Sequence, residues 1–110
     1  MKRNAEKGAK NGLREKIRQD LLDQLESDGT VGQYYTDLVD DYMSMWDTKN
    51  ELMEDIRDRG AVVEYTSNTG VSNMKRNESI DQQLKVNAQM LKMLDALGIK
   101  PSTGGEEDDL

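Results

Sequence analysis

The sequence of 110 residues contains no cysteine, no histidine and no phenylalanine, and it has one proline and one tryptophan. Without cysteine there is no disulfide framework, no thiolate zinc site and no cysteine nucleophile. Without histidine, serine-hydrolase triads, imidazole acid–base chemistry and most metal sites are excluded. No catalytic base, nucleophile or metal constellation remains in the residue inventory. The chain is therefore predicted not to be an enzyme and to need no cofactor.

Long apolar stretches are also missing. No run approaches the roughly 20 residues that a transmembrane helix needs, and the basic N-terminus is not followed by the apolar segment of a secretory signal. We expect a soluble, intracellular protein that makes no membrane contact. Its length allows one domain with a thin core.

The charges, in contrast, are abundant and segregated along the chain. The formal net charge is −7. Residues 1–18 carry seven cations against two carboxylates, a net charge of +5. Residues 19–60 carry three cations against twelve carboxylates, a net charge of −9, and the last ten residues add four carboxylates. Because charge is screened over roughly 10 Å in ordinary salt, the basic end can act apart from the acidic body.

Hydrophobic periodicity predicts a mainly α, oligomerising fold of about three helices, with a short β-hairpin before the last one. Residues 1–12 are polar and basic and are expected to form a flexible arm. The first helix is expected at about 13–27. A long central helix, at about 33–59, carries an apolar stripe at heptad spacing that serves either as core or as subunit interface. The stripe residues and the tryptophan beside them are Tyr35, Leu38, Tyr42, Met45, Trp46, Leu52 and Ile56.

Turn residues and caps divide the rest of the helical domain, which is expected to span residues 13–100. Gly60 is placed to end the central helix. β-Branched residues near 61–75, interrupted by a turn cluster at 67–70, predict the hairpin. Asn77 or Ser79 is expected to cap the third helix, and Gly98 to end it. Residues 101–110 are expected to form a disordered acidic tail.

Few of the charged clusters are candidate metal-binding or nucleic-acid-binding sites. Carboxylates on the central helix are better explained as a solvated face than as a metal site, because no convergent ligand set is evident. The basic N-terminus is the best candidate for nucleic-acid binding, since lysine and arginine release counterions when they pair with phosphates. Composition alone leaves a solubilising role equally open. The candidate DNA-binding residues are Lys2, Arg3, Lys7, Lys10, Arg14, Lys16 and Arg18.

Four segments together resemble the small terminase subunits of tailed bacteriophages. They are RQDLLDQL at 18–25, GTVGQYYTDLVDDYM at 29–43, KNELMEDIRDRG at 49–60 and KVNAQMLKMLDALGIKP at 85–101. The last one ends in the leucine-glycine-aliphatic-x-proline pattern with which the family closes its helical domain. The order and spacing of the segments are more specific than any one of them.

The resemblance implies a non-enzymatic DNA-packaging component of the host cytoplasm. Its implied partners are further copies of itself in a ring, double-stranded DNA, and the large terminase subunit with its ATPase and nuclease. It also implies a large-subunit contact near the C-terminus, at Glu106, Glu107, Asp108, Asp109 and Leu110. The alternative is a small acidic helical adaptor or regulator that binds a basic protein partner without nucleic acid.

Overall fold

The computed structural model describes the backbone of residues 2–100 and the side chains from Gly8 to Lys100. The elements follow in the order α1 (Lys2–Ser27), α2 (Gln33–Arg59), β1 (Val62–Thr66), β2 (Ser72–Arg76) and α3 (Glu78–Ala96). The predicted class is confirmed: the chain is mainly helical, with three helices and an antiparallel hairpin before the last one. None of the helices within the described residues combines the length and the apolar character required to cross a membrane.

The start of α1 differs from the sequence prediction. The helix begins at Lys2 instead of near residue 13, so the segment expected as a flexible arm has helical backbone. Once a helix exists, each further residue adds one hydrogen bond without a new nucleation cost. The segment also contains three lysines, two alanines, one arginine and one glutamate, all of them good helix formers. Low hydrophobicity therefore did not prevent helix here, and the flexibility of the segment stays a prediction.

The long central helix matches its predicted bounds, and its end has a clear physical cause. Gly60 has a φ of +86°, a left-handed conformation that costs glycine little and other residues more. Its N–H donates to the carbonyl of Ile56 at 2.8 Å. This single bond is the αL type of helix C-cap, and it satisfies one carbonyl that the helix end would otherwise leave unpaired.

The hairpin is a two-stranded antiparallel sheet whose register runs from Val62 opposite Arg76 to Thr66 opposite Ser72. Gly70 closes the tip, because its N–H donates to the carbonyl of Ser67 at 2.9 Å. Side chains alternate between the two faces of such a sheet. Even so, every residue of the two strands except Val63 is exposed.

The chain divides into two compact units. One comprises residues up to Asp40 together with those from Lys92 onward, and the other comprises residues 41–91. The first unit has an apolar core of five buried side chains: Leu21, Leu25, Val39, Leu97 and Ile99. In the second unit the buried side chains are Met43, Met90 and the polar Asn77.

Candidate functional site

The basic surface lies on α1. Lys10, Arg14 and Arg18 follow one another at intervals of four residues, so they form a stripe along one side of the helix. Arg14 and Arg18 keep about a third of their side chains exposed, and the Arg14 guanidinium lies 3.8 Å from the carboxylate of Glu15. Lys16 is exposed on another side of the helix. The side chains of Lys2, Arg3 and Lys7 lie outside the described residues.

Arg18 is held within its own unit by an ion pair. Its Nε donates to Oδ1 of Asp40 on α2 at 2.8 Å. This hydrogen bond, and then the negative charge of Asp40, raise the pKa of Arg18 above its ordinary value. The positive charge of Arg18 is therefore already compensated locally. This partner could not be predicted from the sequence, because the two residues are 22 positions apart.

The apolar stripe of α2 is neither fully buried nor exposed. All seven predicted stripe residues are half-buried: Tyr35, Leu38, Tyr42, Met45, Trp46, Leu52 and Ile56. The pKa of Tyr42 is raised because burial disfavours its charged form. Completely buried on this helix are Val39 and Met43, with no exposed surface at all. Val39 and Met43 lie beside the stripe and not in it. The buried side of α2 is therefore rotated about the helix axis relative to the heptad positions.

A polar cluster joins the end of α2 to the start of α3 in the second unit. At its centre is Asn77, whose side chain is fully buried. Its Oδ1 accepts hydrogen bonds from the N–H of Ser79 at 2.9 Å and from Nη2 of Arg59 at 3.3 Å. Its Nδ2 donates to the carbonyl of Gly60 at 2.9 Å and to the carboxylate of Asp55 at 3.2 Å. Asn77, not Ser79, is therefore the N-cap of α3.

The carboxylate of Asp55 accepts hydrogen bonds from the other members of this cluster. Arg59 donates through Nε to Oδ1 at 2.7 Å and through Nη2 to Oδ2 at 3.0 Å, and the hydroxyl of Ser79 donates to Oδ2 at 2.6 Å. These bonds, the one from Arg59 first, hold the pKa of Asp55 far below its ordinary value. A carboxylate expected only to solvate α2 is thus the anchor of a structural cluster.

The second basic pair of the chain, at the end of the hairpin, faces carboxylates. Nζ of Lys75 lies 3.4 Å from Glu78 and 5.2 Å from the centre of the Tyr65 ring. Nε of Arg76 lies 3.3 Å from Asp81. Both cations are therefore partnered at the start of α3, which makes this pair a weaker candidate for phosphates than the stripe on α1.

An apolar pocket opens in the first unit where α1 turns into α2. It has a volume of about 210 Å³. Its lining comes from the last turns of α1, the connecting turn and the first turn of α2: Leu22, Leu25, Glu26, Thr30, Val31, Gly32, Tyr35 and Thr36. Glu26 is the one charged residue among them. Val31 keeps 72% of its surface exposed beside this pocket.

Two other expectations concern the acidic residues. Among the side chains that the structure describes, those of residues 8–100, no three carboxylates come together in an arrangement that could hold a metal ion. The acidic residues assigned to the large-subunit contact, Glu106 to Asp109, and the terminal Leu110 lie outside the described residues.

Comparison with known proteins identifies a protein family. Neither the curated proteins nor the solved structures contain a significant match to the chain. Residues 15–106, most of the chain, match the family model described as phage terminase, small subunit. All four segments that carried the resemblance in the sequence lie within this range. The chain therefore belongs to the phage terminase small-subunit family.

Proposed function

We propose that this chain is a non-catalytic component of a viral DNA-packaging machine. It binds viral double-stranded DNA, assembles into a homo-oligomeric ring, and recruits and regulates the large ATPase–nuclease subunit in the host cytoplasm. Small subunits of this family are generally non-catalytic. The observation that carries the proposal is the family match over residues 15–106 in a chain whose cations are concentrated on its first helix.

The DNA contact is proposed for the basic residues of α1. Phosphate pairing needs cations that can approach a polyanion, without demanding a particular base sequence. Lys10 and Arg14 supply positive charge along one side of α1, beside the ion-paired Arg18, and Lys16 supplies an exposed cation on another side. The next cation along the chain after Arg18 is Lys49. The intervening acidic segment repels phosphates, so it confines the contact to α1.

Assembly is proposed from the distribution of apolar surface. Among the described residues, ten large apolar side chains are exposed, and seven of them belong to the unit of residues 41–91. They are Met53, Val62, Tyr65, Val71, Met74, Leu84 and Leu91. In the same unit only Met43 and Met90 are buried apolar side chains. Exposed apolar surface in such excess over the core is typical of a chain that is completed by a partner.

The contact with the large subunit is proposed for the acidic tail. Its support is the family match, which extends to residue 106, together with four consecutive carboxylates and a terminal leucine. A short acidic segment with an apolar end suits a basic groove on a partner.

DNA binding is tested with two double variants that remove the same charge. Lys10→Ala/Arg14→Ala removes two cations of the α1 stripe, and Lys85→Ala/Lys92→Ala removes two exposed cations of α3. Binding to phage DNA is measured at several salt concentrations. We expect the first variant to lose at least tenfold in affinity at low salt, and its slope of log K against log salt to fall by about 1.8. The α3 variant is expected to bind nearly as the unmodified chain does.

The outcomes separate the two candidate functions. Equal losses in both variants would mean that net charge alone governs binding, and would overturn the α1 contact. If the unmodified chain shows no salt-dependent DNA binding but captures a basic protein, the acidic adaptor is the correct function. The mass of the native particle, measured by light scattering, tests assembly separately: a monomer at micromolar concentration would overturn the ring.

A further inference from the structure

The pocket between α1 and α2 in the first unit is open and largely apolar, and the chain carries a side chain suited to it. Its volume of about 210 Å³ exceeds the ~150 Å³ of a cavity that accepts benzene. It therefore has room for one branched aliphatic side chain. Leu25 is buried to 3% exposure, Val31 is 72% exposed, and both line the pocket. An apolar side chain that enters would cover exposed apolar surface on Val31.

The surroundings of the pocket specify the charge of what enters. Glu26 lines it, and residues 19–48, on both sides of it in sequence, contain eight carboxylates and no lysine or arginine. A charge field of one sign attracts a partner of the other sign. The occupant should therefore be an apolar side chain flanked by cations.

Leu13 of α1 meets this description. It is 51% exposed, so about half of this apolar side chain is open to contact. Lys10 and Lys16 lie three residues before and after it, so both flank it on the helix surface. Leu13 is thus an apolar projection within the most basic part of the chain.

Leu13 cannot reach the pocket of its own chain. Leu13 precedes Leu22, a residue of the pocket, by nine positions on the same helix. The two residues therefore lie about 13 Å apart along the axis of α1. The projection and the pocket can therefore meet only between two copies.

We propose that Leu13 of one copy inserts into the pocket lined by Leu22, Val31 and Tyr35 of the next copy. This inference rests on the proposed assembly and assigns it a contact. Because a projection on one side of the subunit meets a pocket on another, the contact is heterologous, and it closes into a ring or continues as a filament according to the rotation between copies.

The absence of cysteine from the chain makes this contact directly testable by crosslinking. Two full-length single variants, Leu13→Cys and Val31→Cys, are mixed and oxidised, and the products are separated without reductant. Both positions are exposed, so the substitutions leave the core intact. A control mixture pairs Leu13→Cys with Thr69→Cys at the exposed hairpin turn.

We expect a covalent dimer in the first mixture at least tenfold more abundant than in the control, and a ladder of higher species from the Leu13→Cys/Val31→Cys double variant. Leu13→Asp should weaken self-association at least tenfold, with unchanged circular dichroism, whereas Leu13→Met should not.

If the particle is oligomeric but crosslinks only through Leu13→Cys pairs, or not at all, this contact is overturned while the assembly proposal stands. If Leu13→Asp leaves the particle intact, the pocket serves another partner and the contact is likewise overturned. A monomeric unmodified chain would overturn both.

Discussion

Asn77 donates a hydrogen bond from its Nδ2 to the carbonyl oxygen of Gly60 at a distance of 2.9 Å. Gly60 is the residue that ends α2, and Asn77 is the residue that begins α3, whose backbone N–H at Ser79 it caps. A backbone hydrogen bond joins the same two segments, because the N–H of Asn77 donates to the carbonyl of Ala61 at 2.8 Å. One buried side chain thus closes the base of the hairpin and fixes the adjoining ends of two helices.

Replacement of Asn77 by alanine is therefore expected to be strongly destabilising. The N-cap contributes about 0.5–2 kcal/mol, and loss of the partner of the half-buried Gly60 carbonyl adds up to about 1–3 kcal/mol. We expect Asn77→Ala to lower the free energy of unfolding by about 2–4 kcal/mol, measured by urea denaturation at fixed protein concentration. Asn68→Ala, at the exposed tip of the hairpin, is the matched control and should change stability by less than about 0.5 kcal/mol. Similar losses in both variants would contradict the role of the buried amide.

The same cluster predicts a dependence of stability on pH. Hydrogen bonds from Arg59, Ser79 and Asn77 lower the pKa of Asp55 in the folded chain. Because the folded-state pKa is lowered, the Asp55 carboxylate contributes its full stabilisation at pH values above its unfolded-state pKa, near 3.8. This stabilisation is lost as the pH falls through the folded-state pKa. The stability difference between the unmodified chain and Asp55→Asn should therefore be largest near neutral pH and should shrink below about pH 4.

The pH prediction has a control on the same helix. Asp58 is exposed and lies three residues after Asp55. Unfolding of Asp58→Asn, followed by urea at pH 7, 5, 4 and 3, should show no comparable convergence with the unmodified chain. A gap for Asp55→Asn that stays constant from pH 7 to pH 3 would mean that the ion pair with Arg59 adds nothing to stability.

The elements of the fold were predictable from the sequence because local chemistry sets their limits. The end of α2 at Arg59 followed from Gly60, and the position of the hairpin followed from β-branched residues around a turn. The start of α1 was wrong, because low hydrophobicity was weighed above helix propensity and continuation from an existing helix. Fold elements that depend on neighbouring residues are the ones a single sequence specifies best.

Contacts between distant positions were not predictable. Arg18 and Asp40 are joined across 22 positions, and Asp55 and Ser79 across 24. In the sequence alone, Asp40 and Asp55 cannot be distinguished from the other carboxylates of an acidic helix, because their partners are distant along the chain. Burial was not predictable either: Leu84 and Leu91 lie seven residues apart on α3, at helical spacing, yet both are exposed. A stripe at helical spacing shows that a face is apolar without showing what covers it.

The ion pair of Arg18 has a measurable consequence for DNA binding. Because Asp40 lies 2.8 Å from its Nε, Arg18 must give up this partner to pair with a phosphate. Lys16→Ala should therefore reduce the slope of log K against log salt by about 0.9, and Arg18→Ala by clearly less. Removal of the competitor in Asp40→Asn should raise DNA affinity and make a subsequent Arg18→Ala as costly as Lys16→Ala. Equal slopes for the two single variants would show that Asp40 does not hold Arg18 away from DNA.

Two glycines of the helices predict opposite effects of the same substitution. Gly98 follows α3 with a φ of +72°, and an added Cβ would meet nothing within 4 Å. The cost of Gly98→Ala is therefore purely one of backbone conformation, about 1–2 kcal/mol. Gly12 lies inside α1, also with open space around it, so Gly12→Ala should stabilise the helix by about 0.5–1 kcal/mol. Urea unfolding of the two variants checks both signs. A neutral Gly98→Ala would show that the end of α3 rearranges, whereas a neutral Gly12→Ala would show that α1 is not helical at that position.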